Sequence, residues 1–251
     1  MVVFITGASA GFGRAIAKRF AQEGHRIIAL ARRKERLESL QKEIKECFII
    51  PCDICNREGL EYHLSSLPKD YQNIDILVNN AGLALGLESA DKCDFADWVQ
   101  MIEVNIKALT SITHLILPQM VKRRSGHIIT LGSIAGTYPY PGGNVYGASK
   151  AFVRQFVLNL RADLAGTCVR VTDIEPGLAS DSEFSLVRFK GDMQKVESLY
   201  KDSNALKPED IAEAIYWVTT LPKHININTL ELMPTSQSFA ALNVWRENYP
   251  Q

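Results

Sequence analysis

The chain has 251 residues, 46% of them hydrophobic and 22% charged, which is typical of a globular protein able to bury a core. Its 28 basic and 28 acidic residues balance, so the net charge argues against nucleic-acid or anionic-membrane partners. No apolar run approaches the roughly 20 residues that cross a bilayer, and the N-terminal residues lack signal-peptide features. We therefore expect a cytoplasmic protein with neither a nucleic-acid nor a membrane partner.

Short apolar runs rich in Val and Ile alternate with segments of helical periodicity. The runs are continuous, which is typical of strands covered on both faces, as in a parallel sheet. They are residues 2–6, 26–31, 47–51, 74–79, 127–131, 168–174 and 229–233. The helical segments are residues 14–23, 34–45, 95–123, 145–165 and 208–221. This pattern predicts an α/β fold, with residues 1–251 forming a single doubly wound domain that has a seven-stranded parallel sheet and helices on both faces.

The first strand leads through a glycine-rich turn, Thr6-Gly7-Ala8-Ser9-Ala10-Gly11-Phe12-Gly13, into a helix. Glycines let backbone N–H groups approach a pyrophosphate, and the helix N-terminus adds partial positive charge. On the glycines alone, a tight turn without a ligand is an equal alternative. The position after the first strand favours dinucleotide binding. The predicted phosphate-site residues are Gly7, Ser9, Gly11, Phe12 and Gly13.

Two arginines follow the second predicted strand, where an NAD site usually has an acid for the ribose hydroxyls. Arg32 and Arg33 stand there instead, and guanidinium groups bind a 2′-phosphate. We therefore predict that the cofactor is NADP rather than NAD. For the next basic residues, Lys34 and Arg36, a solvated helix start is the alternative interpretation.

The remaining motifs, in chain order, are Asn79-Asn80-Ala81-Gly82, Ser133, Tyr146-x-x-x-Lys150 and Pro176-Gly177. Together with the glycine-rich turn they resemble the motifs of the short-chain dehydrogenase/reductase family over essentially the whole chain. Residues 144–159, 169–178 and 183–192 resemble the NADP-dependent 3-hydroxy acid dehydrogenases, which include serine and allo-threonine dehydrogenases and malonic semialdehyde reductases. The resemblance implies a Rossmann fold, a homotetramer and hydride transfer between NADP and a small 3-hydroxy acid.

Tyr146 and Lys150 are four residues apart, so they share one face of the predicted helix. We expect Tyr146 to act as general acid or base, and Lys150 to lower its pKa from the ordinary value of about 10. The hydroxyl of Ser133 is expected to donate to the substrate oxygen, with a turn serine as the alternative. The resemblance implies that Lys150 also holds the nicotinamide ribose and that Asn105 binds a water that relays protons to Lys150.

The resemblance also implies the other cofactor contacts. Asn80 lines the cofactor groove, and Asp53 with Ile54 meets the adenine, although an Asp-x-Cys turn is an alternative for Asp53. The other implied contacts come from Pro176, Gly177, Leu178, Tyr146 and Lys150, and from Ser182 where the family usually has a threonine.

Residues 180–204 are polar and weakly periodic, and they follow a predicted strand. Loops past the carboxyl ends of strands carry substrate sites in such folds, so we predict a substrate lid here. The lid contains Arg188 and Lys190. Arg188 is the predicted partner of a substrate carboxylate, beside Ser133 and Tyr146, although solvated loop charges are an equal alternative for both basic residues.

Cys52 and Cys55 have the C-x-x-C spacing found in redox and metal sites. No second such motif and no nearby histidine pair accompanies them, so we interpret the five cysteines as reduced thiols and predict no metal.

Two other functions stay open. The first is the same chemistry on another carbonyl, such as a sugar, a steroid or a ketoacyl group. The second is an NADP-binding redox sensor without turnover. A sensor has no need of Asn105, Ser133, Tyr146 and Lys150 together, which favours the enzyme.

Overall fold

The computed structural model describes residues 1–180 and 183–239. Its strands are β1 (Val2–Thr6), β2 (Arg26–Ala31), β3 (Cys47–Pro51), β4 (Ile76–Asn79), β5 (Gly126–Leu131), β6 (Val169–Pro176) and β7 (Thr229–Leu232). Its α-helices are α1 (Gly11–Gln22), α2 (Lys34–Glu43), α3 (Arg57–Ser65), α4 (Phe95–Ile102), α5 (Leu109–Lys122), α6 (Asn144–Asp163), α7 (Phe184–Arg188), α8 (Met193–Tyr200) and α9 (Pro208–Thr220).

The seven strands form one parallel sheet in the order β3-β2-β1-β4-β5-β6-β7. The prediction of a doubly wound seven-stranded sheet is therefore confirmed. The chain moves outward from β1 to β3, then returns beside β1 with β4 and moves outward the other way. A crevice forms where the order reverses, outside the carboxyl ends of the strands, and ligands of such sheets bind there.

Both faces of the sheet are buried, which explains the continuous apolar runs. Successive side chains of a strand point to opposite faces. Val3 and Ile5 of β1 pack in one core cluster with residues of α1, α2 and α9. Phe4, between them, packs in the opposite cluster with residues of α5 and α6. Each face of the sheet is thus covered by helices.

The helix predicted over residues 95–123 is present but not α-helical throughout. Between α4 and α5 the segment Glu103–Ala108 is a π-helix, which holds the buried side chain of Asn105. A π-helical turn shifts the following side chains around the helix axis, and such turns are frequent at functional sites. In the described ranges, none of the helices is both long enough and apolar enough to span a bilayer.

Candidate active site

A cleft with a volume of about 1220 Å³ opens at the carboxyl ends of the central strands. The glycine-rich turn lines one end of it, and Tyr146 and Arg188 line the other. Glu183 and residues of α7 and α8 complete the wall, so the segment predicted as a lid borders the cleft. The cleft brings together the predicted residues Gly7, Ser9, Gly11, Phe12, Arg32, Arg33, Asp53, Ile54, Asn80, Ser133, Tyr146, Lys150, Pro176, Gly177, Leu178 and Arg188.

The glycine-rich turn packs tightly against the loop after β4. Gly7 has a positive φ of 69°, and a Cβ there would lie 2.9 Å from Asn80 Nδ2. A Cβ on Gly13 would collide with the carbonyl oxygen of Gly7. Asn80 Nδ2 donates to the carbonyl of Thr6 at 2.8 Å, and its backbone N–H donates to Thr6 Oγ1 at 3.0 Å. The side chain of Asn80 thus fixes the turn, while the residue also borders the cleft.

The arginines lie at the end of the cleft nearest the turn. Arg33 Nη2 donates to Ser9 Oγ at 3.0 Å. Arg33 Nη1 also pairs with Glu183 Oε2 at 2.7 Å, and Arg36 pairs with the same carboxylate. Neither pair is evident from the sequence, because Glu183 is distant from both arginines along the chain. Burial raises the pKa of Glu183, but its bonds to Arg33 and Arg36 outweigh that effect and lower it. Arg36 is therefore paired with Glu183 and is not only a solvated residue of α2.

The side chain of Asp53 forms the turn that was its alternative interpretation. Asp53 Oδ1 accepts from the backbone N–H of Cys55 at 2.9 Å, while Asp53 and Ile54 border the cleft. All five cysteines are free thiols. Burial raises the pKa of both Cys52 and Cys55, so neither thiol is activated as a nucleophile.

Tyr146 and Lys150 are both buried on α6, where they face the cleft. Lys150 Nζ donates to the carbonyl of Leu131 at 2.6 Å and lies 5.9 Å from the ring centroid of Tyr146. Burial lowers the pKa of Lys150 to about 8. Burial raises the pKa of Tyr146 to about 12, although Ser133 and Arg188 act in the opposite direction.

The expectation that Lys150 lowers the pKa of Tyr146 is wrong for this structure. Desolvation of the phenol dominates, and the neighbours that favour its ionised form are Ser133 and Arg188. The reason is geometric, because the ammonium group is directed to the carbonyl at the end of β5. The phenol is therefore protonated at neutral pH, as a general acid requires.

Asn105 is held in place by three hydrogen bonds. Its Oδ1 accepts from the N–H of Leu83 at 2.9 Å, and its Nδ2 donates to the carbonyl of Leu83 at 2.9 Å and to Ser149 Oγ at 3.0 Å. A Cβ on Gly82 would lie 3.3 Å from Asn105 Oδ1 and 3.6 Å from Lys150 Nζ. The glycine thus leaves space between the amide and the ammonium group.

Ser133 follows β5, and its Oγ accepts from the N–H of Ala135 at 3.1 Å. Beside it, the N–H groups of Gly177 and Leu178 donate to the carbonyl of Leu232 and to Gln237 Oε1, both at 2.7 Å. These bonds hold the segment after β6 at the edge of the cleft. The predicted contact of Ser182 lies outside the described residues.

Arg188 lies directly beside the phenol, with Cζ 5.5 Å from the Tyr146 ring centroid and 5.4 Å from that of Tyr140. Its Nη2 donates to Tyr140 Oη at 2.7 Å, and its Nε donates to the carbonyl of Gly86 at 3.3 Å. In residues 1–180 and 183–239 it has no carboxylate partner. Lys190 differs, because its Nζ pairs with Asp97 Oδ2 at 2.8 Å. Tyr140 and Gly86 could not be identified from the sequence as supports of Arg188, because both are distant from residue 188 along the chain.

The sequence is similar to those of known dehydrogenases along most of its length. The family model described as short chain dehydrogenase matches residues 1–187. The NADP-dependent 3-hydroxy acid dehydrogenase YdfG of Escherichia coli strain K12 is 58% identical over 248 residues, which is 98% of this chain and 100% of that protein. The serine 3-dehydrogenase of Agrobacterium fabrum is 51% identical over 98% of each chain.

Solved structures agree with this similarity. The closed form of serine dehydrogenase complexed with NADP+ is 58% identical and superposes with a TM-score of 0.97, over 98% of this chain and 100% of the other. An alcohol dehydrogenase from the archaeon Thermococcus sibiricus, complexed with 5-hydroxy-NADP, is 26% identical with a TM-score of 0.83, over 96% of this chain and 99% of the other. The likeness is thus much closer to the serine dehydrogenase.

Proposed function

Because this chain belongs to the short-chain dehydrogenase family, we propose that it is an NADP-dependent oxidoreductase acting on small 3-hydroxy acids. The substrate class comprises serine, allo-threonine and 3-hydroxypropionate, with 3-oxo acids such as malonic semialdehyde on the other side of the reaction. The relatives named for 3-hydroxy acids and for serine are identical at more than half of the aligned positions, which supports this class.

The observation that carries the substrate assignment is the position of Arg188. A guanidinium group 5.5 Å from the Tyr146 ring centroid, with no carboxylate partner in the described part of the chain, supplies an uncompensated positive charge beside the acid–base phenol. Its planar fork suits a carboxylate. A small molecule with a hydroxyl or carbonyl group at one end and a carboxylate at the other spans the two side chains.

The cofactor end of the cleft fits NADP. The positive φ of Gly7 and the tight packing at Gly13 keep the turn free of side chains where a pyrophosphate binds, at the N-terminus of α1. Arg32 and Arg33 supply the charge for a 2′-phosphate. Asp53 and Ile54 border the region for the adenine, and Pro176, Gly177 and Leu178 that for the nicotinamide. When bound, NADP accepts the hydride and NADPH donates it.

The protein's own side chains manage the proton. Tyr146, protonated at neutral pH, donates its proton to the carbonyl oxygen during reduction. For oxidation the phenol must first lose that proton, and the phenolate then accepts the hydroxyl proton of the substrate. Ser133 donates to the same oxygen and stabilises the charge that develops there. Lys150 holds the nicotinamide ribose, and Asn105, fixed by Leu83 and Ser149, orients the water that exchanges protons with Lys150.

We further propose that the protein is a homotetramer located in the cytoplasm. Large apolar side chains are exposed on α4 and α6, namely Phe95, Val99, Ile102, Phe152 and Leu158. Exposed apolar side chains on helices support subunit contacts, although Phe95 and Val99 also line the cleft. Five free thiols suit a reducing compartment. Sedimentation equilibrium tests the oligomer, and a monomer would contradict it.

The test of function follows NADP reduction by nicotinamide absorbance. The substrates are L- and D-serine, allo-threonine, 3-hydroxypropionate and 3-hydroxyisobutyrate, with 1-propanol and 2-propanol as alcohols that lack the carboxylate. We expect turnover of acids only. Turnover of the alcohols, or only of sugars, steroids or ketoacyl groups, would refute the substrate class while keeping the enzyme.

Replacement of the phenol separates an enzyme from a sensor. Tyr146→Phe removes the transferable proton, so we expect turnover to fall by at least about a hundredfold with NADP binding retained. A wild-type protein that binds NADP and turns over none of these compounds would favour the sensor instead.

A further inference from the structure

Two carboxylate side chains are buried beneath the catalytic centre, and no step described above uses them. Asp173 and Glu175 lie on the same face of β6, because residues two apart in a strand point to the same side. Their exposed fractions are 0% and 1%. Within residues 1–180 and 183–239, Asp173 Oδ2 and both carboxylate oxygens of Glu175 have no hydrogen-bond partner. Carboxylates this deep are costly unless a charge or a proton compensates them.

Asp173 lies behind the backbone segment that holds Lys150. Thr130 Oγ1 donates to Asp173 Oδ1 at 2.9 Å, and a Cβ on Gly132 would lie 2.6 Å from both carboxylate oxygens. The residue before this glycine is Leu131, whose carbonyl accepts from Lys150 Nζ at 2.6 Å. Burial lowers the pKa of Lys150, and the negative charge of Asp173 acts in the opposite direction.

Glu175 has a less favourable environment for an ionised carboxylate. Arg154 Nε is 3.6 Å from its Oε1, which is beyond hydrogen-bond distance, and the Arg154 side chain is 37% exposed. Glu231 of β7 is its register partner and adds a second acidic group, to which Tyr138 Oη donates at 3.4 Å. Burial and the negative charge of Asp173 raise the pKa of Glu175.

The two carboxyl groups therefore differ in which form is favoured. Burial raises the pKa of Asp173 as well, but the hydrogen bond from Thr130 and the positive charge of Lys150 oppose that effect. For Glu175, the neighbouring charge of Asp173 adds to the effect of burial. The surroundings therefore favour the ionised form more at Asp173 than at Glu175.

We propose that Asp173 is the counter-charge that keeps Lys150 protonated in the cleft, and that Glu175 retains the proton that lets Asp173 stay ionised. Asp173 is then a positioning residue, because it acts through Lys150 and does not border the cleft. The inference rests on the proposed function only where it predicts that turnover falls when Lys150 loses its proton. The protonation state of Lys150 itself does not depend on that function. Without Asp173, the buried amine loses its proton at a lower pH.

The test measures the protonation of Lys150 directly and without cofactor. Acetylation by trace acetic anhydride, quantified for Lys150 by mass spectrometry from about pH 6 to pH 10, reports the fraction of neutral amine. We expect the midpoint for Asp173→Asn to fall by at least about one pH unit. Glu175→Gln keeps a neutral side chain beside Asp173, so its midpoint stays near that of wild type. Thr172→Val, a buried substitution on the same strand, is the matched control and leaves the midpoint unchanged.

A second readout follows turnover. For Asp173→Asn, kcat/KM falls about tenfold relative to wild type at about pH 9 and much less at about pH 6.5, where Lys150 remains protonated. If Asp173→Asn does not fold, Thr130→Val removes the donor to Asp173 and lowers the midpoint in the same direction by less. An unchanged midpoint in whichever of these variants folds would overturn the proposal. Absence of turnover in the wild type would instead refute the proposed function, because the acetylation readout needs none.

Discussion

Replacement of Arg33 tests whether the arginines select NADP. In Arg33→Ala, the side chain that contacts Ser9 and Glu183 is lost at the end of the cleft nearest the glycine-rich turn. A charge-assisted hydrogen bond to a phosphate contributes about 1.5–3 kcal/mol. The wild-type arginine must first loosen its pair with Glu183, and partly exposed pairs such as this contribute about 0.2–1 kcal/mol.

The difference between these contributions, about 0.5–2.8 kcal/mol, corresponds to NADP binding that is about 2- to 100-fold weaker. NAD lacks the 2′-phosphate, so its affinity should change by less than about twofold. Calorimetric titration with 2′,5′-ADP and 5′-AMP at one fixed ionic strength measures the two cases without turnover. Lys34→Ala is the matched control, because this neighbouring cation pairs with Glu38 and does not border the cleft. An unchanged ratio between the affinities for 2′,5′-ADP and 5′-AMP would refute the reasoning.

Three further predictions follow from the structure. Glu183→Gln removes the carboxylate that competes for the arginines, so 2′,5′-ADP should bind up to about fivefold more tightly in calorimetry, and weaker binding would contradict this. Arg188→Met should lower kcat/KM for 3-hydroxy acids about 10- to 100-fold and leave NADP affinity unchanged. Lys190→Met, on the same segment, should leave kcat/KM unchanged. Equal losses of kcat/KM in the two variants would contradict the assignment of Arg188. Burial lowers the pKa of His127 well below its ordinary value. Below about pH 6.5 the unfolded chain therefore binds a proton at this residue that the folded chain does not, and the free energy of unfolding falls as the pH falls. His127→Gln removes this loss, so its free energy of unfolding relative to wild type should rise by about 1.4 kcal/mol for each pH unit below 6.5. Urea unfolding at several pH values measures this difference, with exposed His224→Gln as the control. A difference that stays constant with pH would contradict the prediction.

The sheet could be predicted because its pattern is local and repeated. Continuous apolar runs alternating with helical segments leave few arrangements other than a parallel sheet covered on both faces. The π-helix at Glu103–Ala108 could not be predicted, because the same apolar periodicity is expected of one long α-helix. Whether an extra residue enters a helical turn depends on packing, here around the buried side chain of Asn105.

The residues of the site could be proposed because their motifs stand at strand ends, where parallel strands bring them to one edge. Their pairings were not visible, because the partners lie far apart along the chain. Glu183 reaches Arg33 from 150 positions away, and Arg188 is supported by Tyr140 and Gly86. Such contacts depend on how the segment after β6 folds over the cleft, and spacing within a motif carries no information about that.

Lys150 and Arg188, the two cations beside Tyr146, differ in their surroundings. Burial lowers the pKa of Lys150, and the bond to a backbone carbonyl together with the negative charge of Asp173 compensates the ammonium group within the protein. Arg188 has no carboxylate partner among the described residues, and its charge partly offsets the rise that burial causes in the pKa of Tyr146. A substrate carboxylate that pairs with Arg188 therefore neutralises that influence, and the pKa of the phenol rises as an acid binds. In the proposed reaction a 3-oxo acid thus compensates the guanidinium charge, whereas a simple ketone leaves that charge uncompensated beside the phenol.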